Sequence, residues 1–476
     1  MAHEDLAHTP HLAAPQGHAG PARSLVLAGG GMRVSWQSGV LLALEQAGIA
    51  FDHADGTSGG TFNLAMLLSG LSPAQMCDRW RALNPRDFVS LLALTTYLRS
   101  PRLPGLSSQD GIANRVHPNL GVDVARIRAA RGIAGTFNVC DFRRKVSVVI
   151  SHEQVVRELL VAAVTLPILM PAVAHGDGIW TDAMWIRDAN LLEGVRRGSD
   201  EIWLVWCIGN DGFYRDGSFR QYVHMLEIAA NGSLNGEIEQ IRQGNERLLA
   251  GEPAGDRKAP VRLHVIRPDV PIPLDPDYLL GRIDAATLVG LGYRAACRYL
   301  DARDPEGVAL DESATRMRDG GPGLGFRERA AGAARIDGVE GPLELRLAVE
   351  IGELDRFLAD PAAGADAALV GEVKHPAFGA ALLRSGCFRV DGRHVVLEGE
   401  FSANGRRYTL AASRRRRPGA ALRVAVAVAG DTAMPAALSP SHGDRADRAA
   451  SLHARRTPNL PAGARTVARF ARLMAR

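Results

Sequence analysis

Two glycine clusters near the start of the chain limit its fold more than any other feature. They are Ala28-Gly29-Gly30-Gly31-Met32-Arg33 and Gly56-Thr57-Ser58-Gly59-Gly60. Each follows an apolar run and precedes a stretch of helical spacing. Ser24–Ala28 reads as a short buried strand. Residues 34–47 then set Val34, Val40, Leu41 and Leu44 on one helical face, and Gly48 stops it. Ile49–Asp55 reads as a second strand, and 60–69 as a second helix ended by Gly70. Strand–helix–strand–helix predicts a parallel sheet, because parallel neighbours need a crossover between them.

The alternation continues. Residues 73–134 read as mostly helical, with a proline-broken stretch at 100–104. Strands are expected at 137–139, 146–150, 179–181, 201–208 and 261–266, and helices at 158–164, 222–249 and 284–300. Asp, Pro and Gly thicken near 302–325. Beyond them lie alternating runs at 343–351, 368–373, 388–390, 394–401, 408–412 and 422–428. Asp391-Gly392 and Asn404-Gly405 between the runs are hairpin signals. The expected organisation is a flexible leader over 1–22, a doubly wound, mostly parallel α/β domain over 23–302, and a β-rich sandwich or barrel over 320–430. A mobile Ala/Arg-rich tail is expected over 431–476.

A formal charge of +4 on 476 residues gives no case for nucleic acid as a partner, though it is compatible with contact at an anionic membrane surface. Arg414–Arg417 reads as a solvated loop or a patch for lipid headgroups. The five cysteines are scattered without C-x-x-C spacing, which suits a reducing, cytoplasmic setting. No His/Cys cluster has zinc-ligand spacing, so no metal site is expected. Residues 1–22 lack the basic and apolar regions of a secretory signal. The apolar stretch at 159–174 is too short to span a membrane and contains Pro167 and Pro171.

The second cluster fits G-x-S-x-G, the pattern that holds a serine nucleophile on a tight strand-to-helix turn. A serine capping a helix in a glycine-rich turn would read the same way. The first cluster could aim backbone N–H groups at an anion, since no Cβ stands in the way. It lacks the last glycine of a dinucleotide fingerprint and any Walker lysine. Arg33 suits either an anionic intermediate or a structural ion pair. A serine nucleophile also needs a base. His53 lies within the strand before Ser58 and reads as structural, while His152 and His175 stand in no motif.

Three segments taken in order resemble the patatin-like phospholipases: Gly29–Arg33, Gly56–Gly60, and Ala162–Val173 with Trp180-Thr181-Asp182-Ala183-Met184. The resemblance covers about residues 23–300. It implies a lipid acyl hydrolase with Ser58 as nucleophile and Asp182 as its dyad base. Gly29, Gly30 and Gly31 would form the oxyanion hole, with Arg33 at its basic position. The implied substrate is a phospholipid or another acyl lipid, and no metal or organic cofactor is implied. Ala183 and Met184 stand where the family has small glycine-type residues. Asp177 is a rival base. A lipid-binding protein without turnover and an acyltransferase are the other activities compatible with the pattern.

Overall fold

The first glycine cluster sits where a parallel sheet changes its direction of growth. In a computed structural model, residues 6–98, 102–208, 211–273, 275–416, 420–431 and 435–475 are described. Strand β1 (Arg23–Leu27) pairs in parallel with β2 (His53–Thr57) on one edge, and β3 (Ala134–Asp141) follows β2. On its other edge β1 pairs in parallel with β7 (Glu201–Val205), which in turn pairs with β8 (Arg262–Ile266). The chain therefore builds outward to β3 and then returns beside β1. Such a reversal leaves a crevice at the carboxyl ends of the strands, where ligands of α/β sheets bind.

Three short antiparallel strands complete the sheet: β4 (Val146–Ser151), β5 (Val173–His175) and β6 (Gly178–Asp182). The expected mostly parallel α/β architecture is present. Helix α1 (Ser35–Gln46) follows the first glycine cluster, and α2 (Gly60–Leu68) starts inside the second. Every residue of β2 and α2 is buried. This explains why α2 is apolar nearly throughout and lacks a polar face, whereas β2 carries His53, Asp55 and Thr57, whose polar groups must be paired inside the fold. Among the described residues no helix is long and apolar enough to cross a membrane.

The chain divides into two units. The first holds Met1–Asn210, Gly217–Asp275 and Ala302–Met317. The second holds Asp211–Asp216, Pro276–Asp301 and Arg318–Arg476. The second unit is a nine-stranded antiparallel sheet running from β9 (Gly323–Ile336) and β10 (Val339–Ile351) through β11 (Ala367–His375), β12 (Gly379–Asp391), β13 (His394–Ala403) and β14 (Arg406–Arg415). It continues to β15 (Leu422–Val428) and β16 (Ala436–Leu438), and β17 (His453–Arg455) pairs with β9. A bridge between Ala331 and Ser439 joins the first strand to the end of β16 and curls the sheet closed. Of the two expected forms, sandwich or barrel, this is the barrel. Asn404 and Gly405 both have left-handed φ, as a two-residue hairpin between β13 and β14 requires.

Several boundaries differ from expectation. Helix Ala285–Asp301 groups with the β-rich unit, because Gly290 packs so closely on it that a Cβ there would lie 2.9 Å from the Gly371 amide nitrogen. The tail is structured: helices His442–Ser451 and Leu460–Ala475 follow β16, and Phe470 is buried against Phe326 and Phe388 inside the curled sheet. Its apolar residues are spaced to cover one face of a helix, a signal that the arginine-rich composition hid. The leader is not free from Leu6 onward, since Leu12 and Ala14 are buried and the Phe51 N–H donates to the Leu12 carbonyl. Residues 1–5 and 99–101 lie outside the described residues. Arg414 is not solvated. It lies buried on β14 with Nε 3.3 Å from Glu328, and Arg416 donates to the Leu473 carbonyl. Arg417 lies outside the described residues.

One contact in the α/β unit has no slack. A Cβ added at Gly60 would lie 2.1 Å from the carbonyl oxygen of Leu27, a backbone atom fixed in the sheet. Gly60→Ala should lower unfolding free energy by about 3 kcal/mol or more, at the upper end of overpacking costs. Urea denaturation of the variant against wild type measures it.

Candidate functional site

Each residue of β3 offers two edges, and β4 occupies one of them along 136–141. β2 takes the other edge up to the pair Thr57↔Asn138. β6 takes the same edge from the pair Asp182↔Val139 onward, running the opposite way. The two strands therefore meet end to end. β2 cannot continue because Asp182 holds the next place on β3, and the chain turns away at Ser58. The serine takes the left-handed φ of +49°, uncommon for a residue with a side chain and strained by its neighbours on both sides.

The turn is held from below by glycines. Cβ atoms at Gly56 and Gly59 would meet Leu64 at 3.1 Å and Val34 at 2.6 Å. It is held from the side by buried amides. Asn63 on α2 donates to the Val34 carbonyl and to Gln37, Gln37 donates to the Ala28 carbonyl, and Trp80 donates to Asn63. These bonds tie the first glycine cluster to the serine turn. Neither Asn63 nor Gln37 was singled out from sequence, because a polar residue at helical spacing reads as solvent-facing until the helix is known to be buried all round.

In the first cluster the three glycines part company. The Gly29 N–H donates to the Asp188 carbonyl at 3.2 Å, so it is not free to bind an anion, contrary to expectation. The Gly30 carbonyl accepts from the Arg33 amide and from Arg33 Nε at 3.0 Å. Because a trans peptide points its C=O and N–H in opposite directions, the Gly31 N–H faces away from Arg33. No intramolecular acceptor for the Gly30 or Gly31 amide is found among the described residues. Arg33 thus orients the loop in preference to forming the ion pair that sequence left open.

Asp182 ends β6 and is fully buried. Its Oδ1 accepts from the Met184 amide at 2.9 Å. Burial pushes the carboxyl up to about 7, against hydrogen bonding from Ser58 and Met184 that holds it down. Oδ2 still has no partner at ordinary hydrogen-bond geometry. The Ser58 contact is therefore longer or less aligned than a formed bond, as is common for such pairs before substrate arrives. The residues that depart from the family pattern fit without obstruction, since Ala183 and Met184 are both buried and the Met184 amide serves the carboxylate. Asp177 lies on the exposed turn joining β5 to β6. A cleft of about 440 Å³ opens beside β5, lined by Gln109, Asn114, Arg157 and Val173, and neither Ser58 nor Asp182 lines it.

The histidines are accounted for by structure. His53 joins a buried chain in which Ser24 Oγ and Thr136 Oγ1 contact its two ring nitrogens at 2.8 Å. Burial, helped by Arg197 and Arg196, lowers its pKa to about 3, so it is neutral. Thr136 and Asn138 each donate to Asp55 at 2.6 Å, and Asn190 donates to Asn138. Burial dominates over these two hydrogen bonds and raises Asp55 to about 8. His152 is buried on the Gly135 backbone, and His175 sits on β5 away from any partner triad.

The raised carboxyl of Asp182 makes a stability prediction. Between its ordinary value of 3.8 and about 7, the folded chain holds a proton that the unfolded chain has released. That contribution to stability is complete below about pH 4 and is lost as pH rises through about 7. Asp182→Asn keeps an acceptor for Met184 and needs no charge. We expect it to be more stable than wild type by a few kcal/mol near pH 8, with the difference closing toward pH 4. Urea unfolding across that range measures it.

Residues 25–193 match the family model described as patatin-like phospholipase. No curated protein sequence matches the chain. Among solved structures, VipD from Legionella pneumophila is 12% identical, with 61% of this chain and 68% of that chain covered at a TM-score of 0.29. The type III effector protein ExoU is 13% identical, with 62% and 71% covered at a TM-score of 0.20. Both scores are too low to bear on the fold. On its family match and its ordered motifs, the chain carries a patatin-like phospholipase domain over residues 25–193.

Proposed function

We propose that the α/β unit is a serine acyl hydrolase acting on phospholipids or other acyl lipids through a Ser58–Asp182 dyad. The observation that carries this reading is the end-to-end meeting of β2 and β6 on β3, which sets a strained serine against a buried carboxyl with an unpartnered oxygen. The family match over these residues supports a lipid substrate.

In the proposed reaction, ionised Asp182 accepts the Ser58 hydroxyl proton as Oγ attacks the acyl carbonyl carbon. The carbonyl oxygen becomes an oxyanion and accepts hydrogen bonds from the Gly30 and Gly31 amides. Aligned donors of this kind are worth on the order of 10²–10³ in rate each. Collapse expels the alcohol portion of the lipid, which leaves with the proton held by Asp182. Water, deprotonated in turn by Asp182, then attacks the acyl-serine, and the fatty acid and Ser58 are released. A carboxylate near 7 is matched to this task, since it can take and return a proton at neutral pH. No imidazole is needed, which accords with the fixed neutral role of His53.

Two measurements test the reading. A fluorophosphonate probe should label wild type and leave Ser58→Ala unlabelled, and labelling that persists in Ser58→Ala would sink the assignment. Ester hydrolysis should fall on the order of 10³-fold in Asp182→Asn. In wild type it should fall as pH drops below about 7, where Asp182 takes up its proton. Binding of acyl-lipid vesicles without labelling would favour a lipid-binding protein on this domain. Acyl transfer to an added alcohol in place of fatty-acid release would favour an acyltransferase.

A further inference from the structure

The proposed dyad uses one of two carboxyls buried at this site. Asp188 lies six residues beyond Asp182 and is completely buried. Neither of its carboxyl oxygens has a partner at ordinary hydrogen-bond geometry among the described residues, although the Gly29 amide lies near enough to favour the ionised form weakly. Its position is fixed by its own backbone, because its carbonyl accepts from the Gly29 amide. A Cβ built on Gly29 would lie 2.1 Å from Asp188 Oδ1 and 2.9 Å from Ser58 Cβ. The Asp188 carboxyl therefore occupies the space above Gly29, against the nucleophile turn. This is also why position 29 tolerates only glycine.

The charged groups that act on Asp188 are two. Asp182, at the end of β6, has the same sign and opposes its ionisation. Arg33, in the turn after β1, favours ionisation, but its Nε is engaged by the Gly30 carbonyl. Cys207 contributes a neutral thiol that donates to the Gly29 carbonyl at 3.1 Å. Burial is the larger influence and pushes Asp188 well above the ordinary carboxylate range. A buried carboxylate without a well-formed hydrogen bond, beside a second carboxylate, is an arrangement in which the two do not both ionise.

Building on the Ser58–Asp182 reading, we propose that Asp182 and Asp188 form a carboxyl pair that holds one proton at neutral pH, with Asp188 as its keeper. Asp188 is a positioning residue: by staying neutral it leaves Asp182 as the ionised partner of Ser58. It also keeps negative charge away from Gly29, next to the amides proposed to receive the oxyanion. Ionising Asp188 at high pH would place a charge against that oxyanion and slow acyl transfer. The activity should therefore have an alkaline limb that belongs to Asp188, separate from the acid limb that belongs to Asp182.

Infrared difference titration of the full chain tests the proton inventory without reference to catalysis. Near pH 8, wild type minus Asp188→Asn should contain the C=O stretch of one protonated carboxyl. In Asp182→Asn, the remaining Asp188 band should titrate at lower pH than in wild type, because the neighbouring charge is gone. A second arm follows fluorophosphonate labelling against pH. Asp188→Asn, a neutral isostere, should lose the alkaline fall of about tenfold per pH unit. A purely structural Asp188 would leave both limbs where they are. The proposal is overturned if Asp188→Asn removes no protonated-carboxyl band, or if its alkaline limb matches that of wild type. If wild type is not labelled at Ser58 at any pH, the dyad reading fails, and the infrared arm alone decides whether the pair shares a proton. If Asp188→Asn does not fold, the downward shift of the band in Asp182→Asn decides the proposal, and no shift overturns it.

Discussion

One edge of β3 cannot hold two strands at the same place, and the site depends on that. β2 uses the edge up to Asn138 and β6 uses it from Val139. The chain end that must turn aside is Ser58, and the chain end that displaces it is Asp182. Strain at the serine is thus a consequence of strand pairing. It is sustained by contacts that cannot yield, above all Gly60 against the Leu27 carbonyl.

Holding the turn in place requires a buried polar interior, which is expensive unless its groups are paired. Most of it is paired. Asn63, Gln37 and Trp80 bond one another and the backbone, and Ser24, His53, Thr136, Asp55, Asn138 and Asn190 form a second chain across β1, β2, β3 and the loop after β6. Asp182 and Asp188 are not fully paired: Asp182 Oδ2 and both Asp188 oxygens have no partner at ordinary hydrogen-bond geometry, and both residues lie at the serine turn. Unsatisfied carboxyls beside a strained residue are the pattern expected where stability is traded for chemistry.

The sequence was legible where local rules and tertiary demands agree. The two glycine clusters announced strand–turn–helix units, because a strand that meets a helix without a long loop needs residues free of Cβ. Asn404-Gly405 announced a hairpin because both positions need left-handed φ. It was less legible where composition misleads. The segment 460–475 is rich in alanine and arginine, yet it is a helix that brings Phe470 into the barrel core. The helix 285–301 follows the α/β alternation and still belongs to the other unit, because Gly290 fits against Gly371.

The sequence by itself determined the alternating units, the candidate serine, and, through resemblance, the aspartate sought as its partner. Only the tertiary structure decided which amides are free and which carboxyls are buried. Gly29, Gly30 and Gly31 are identical in sequence, but Gly29 spends its N–H on Asp188 while Gly30 and Gly31 keep theirs. Asp177, Asp182 and Asp188 are the same residue type within twelve positions. The hairpin turn exposes the first, while the edge of β3 and the loop after β6 bury the other two. The physical reason is that pairing and burial are set by neighbours distant in the chain, and a motif carries no record of them.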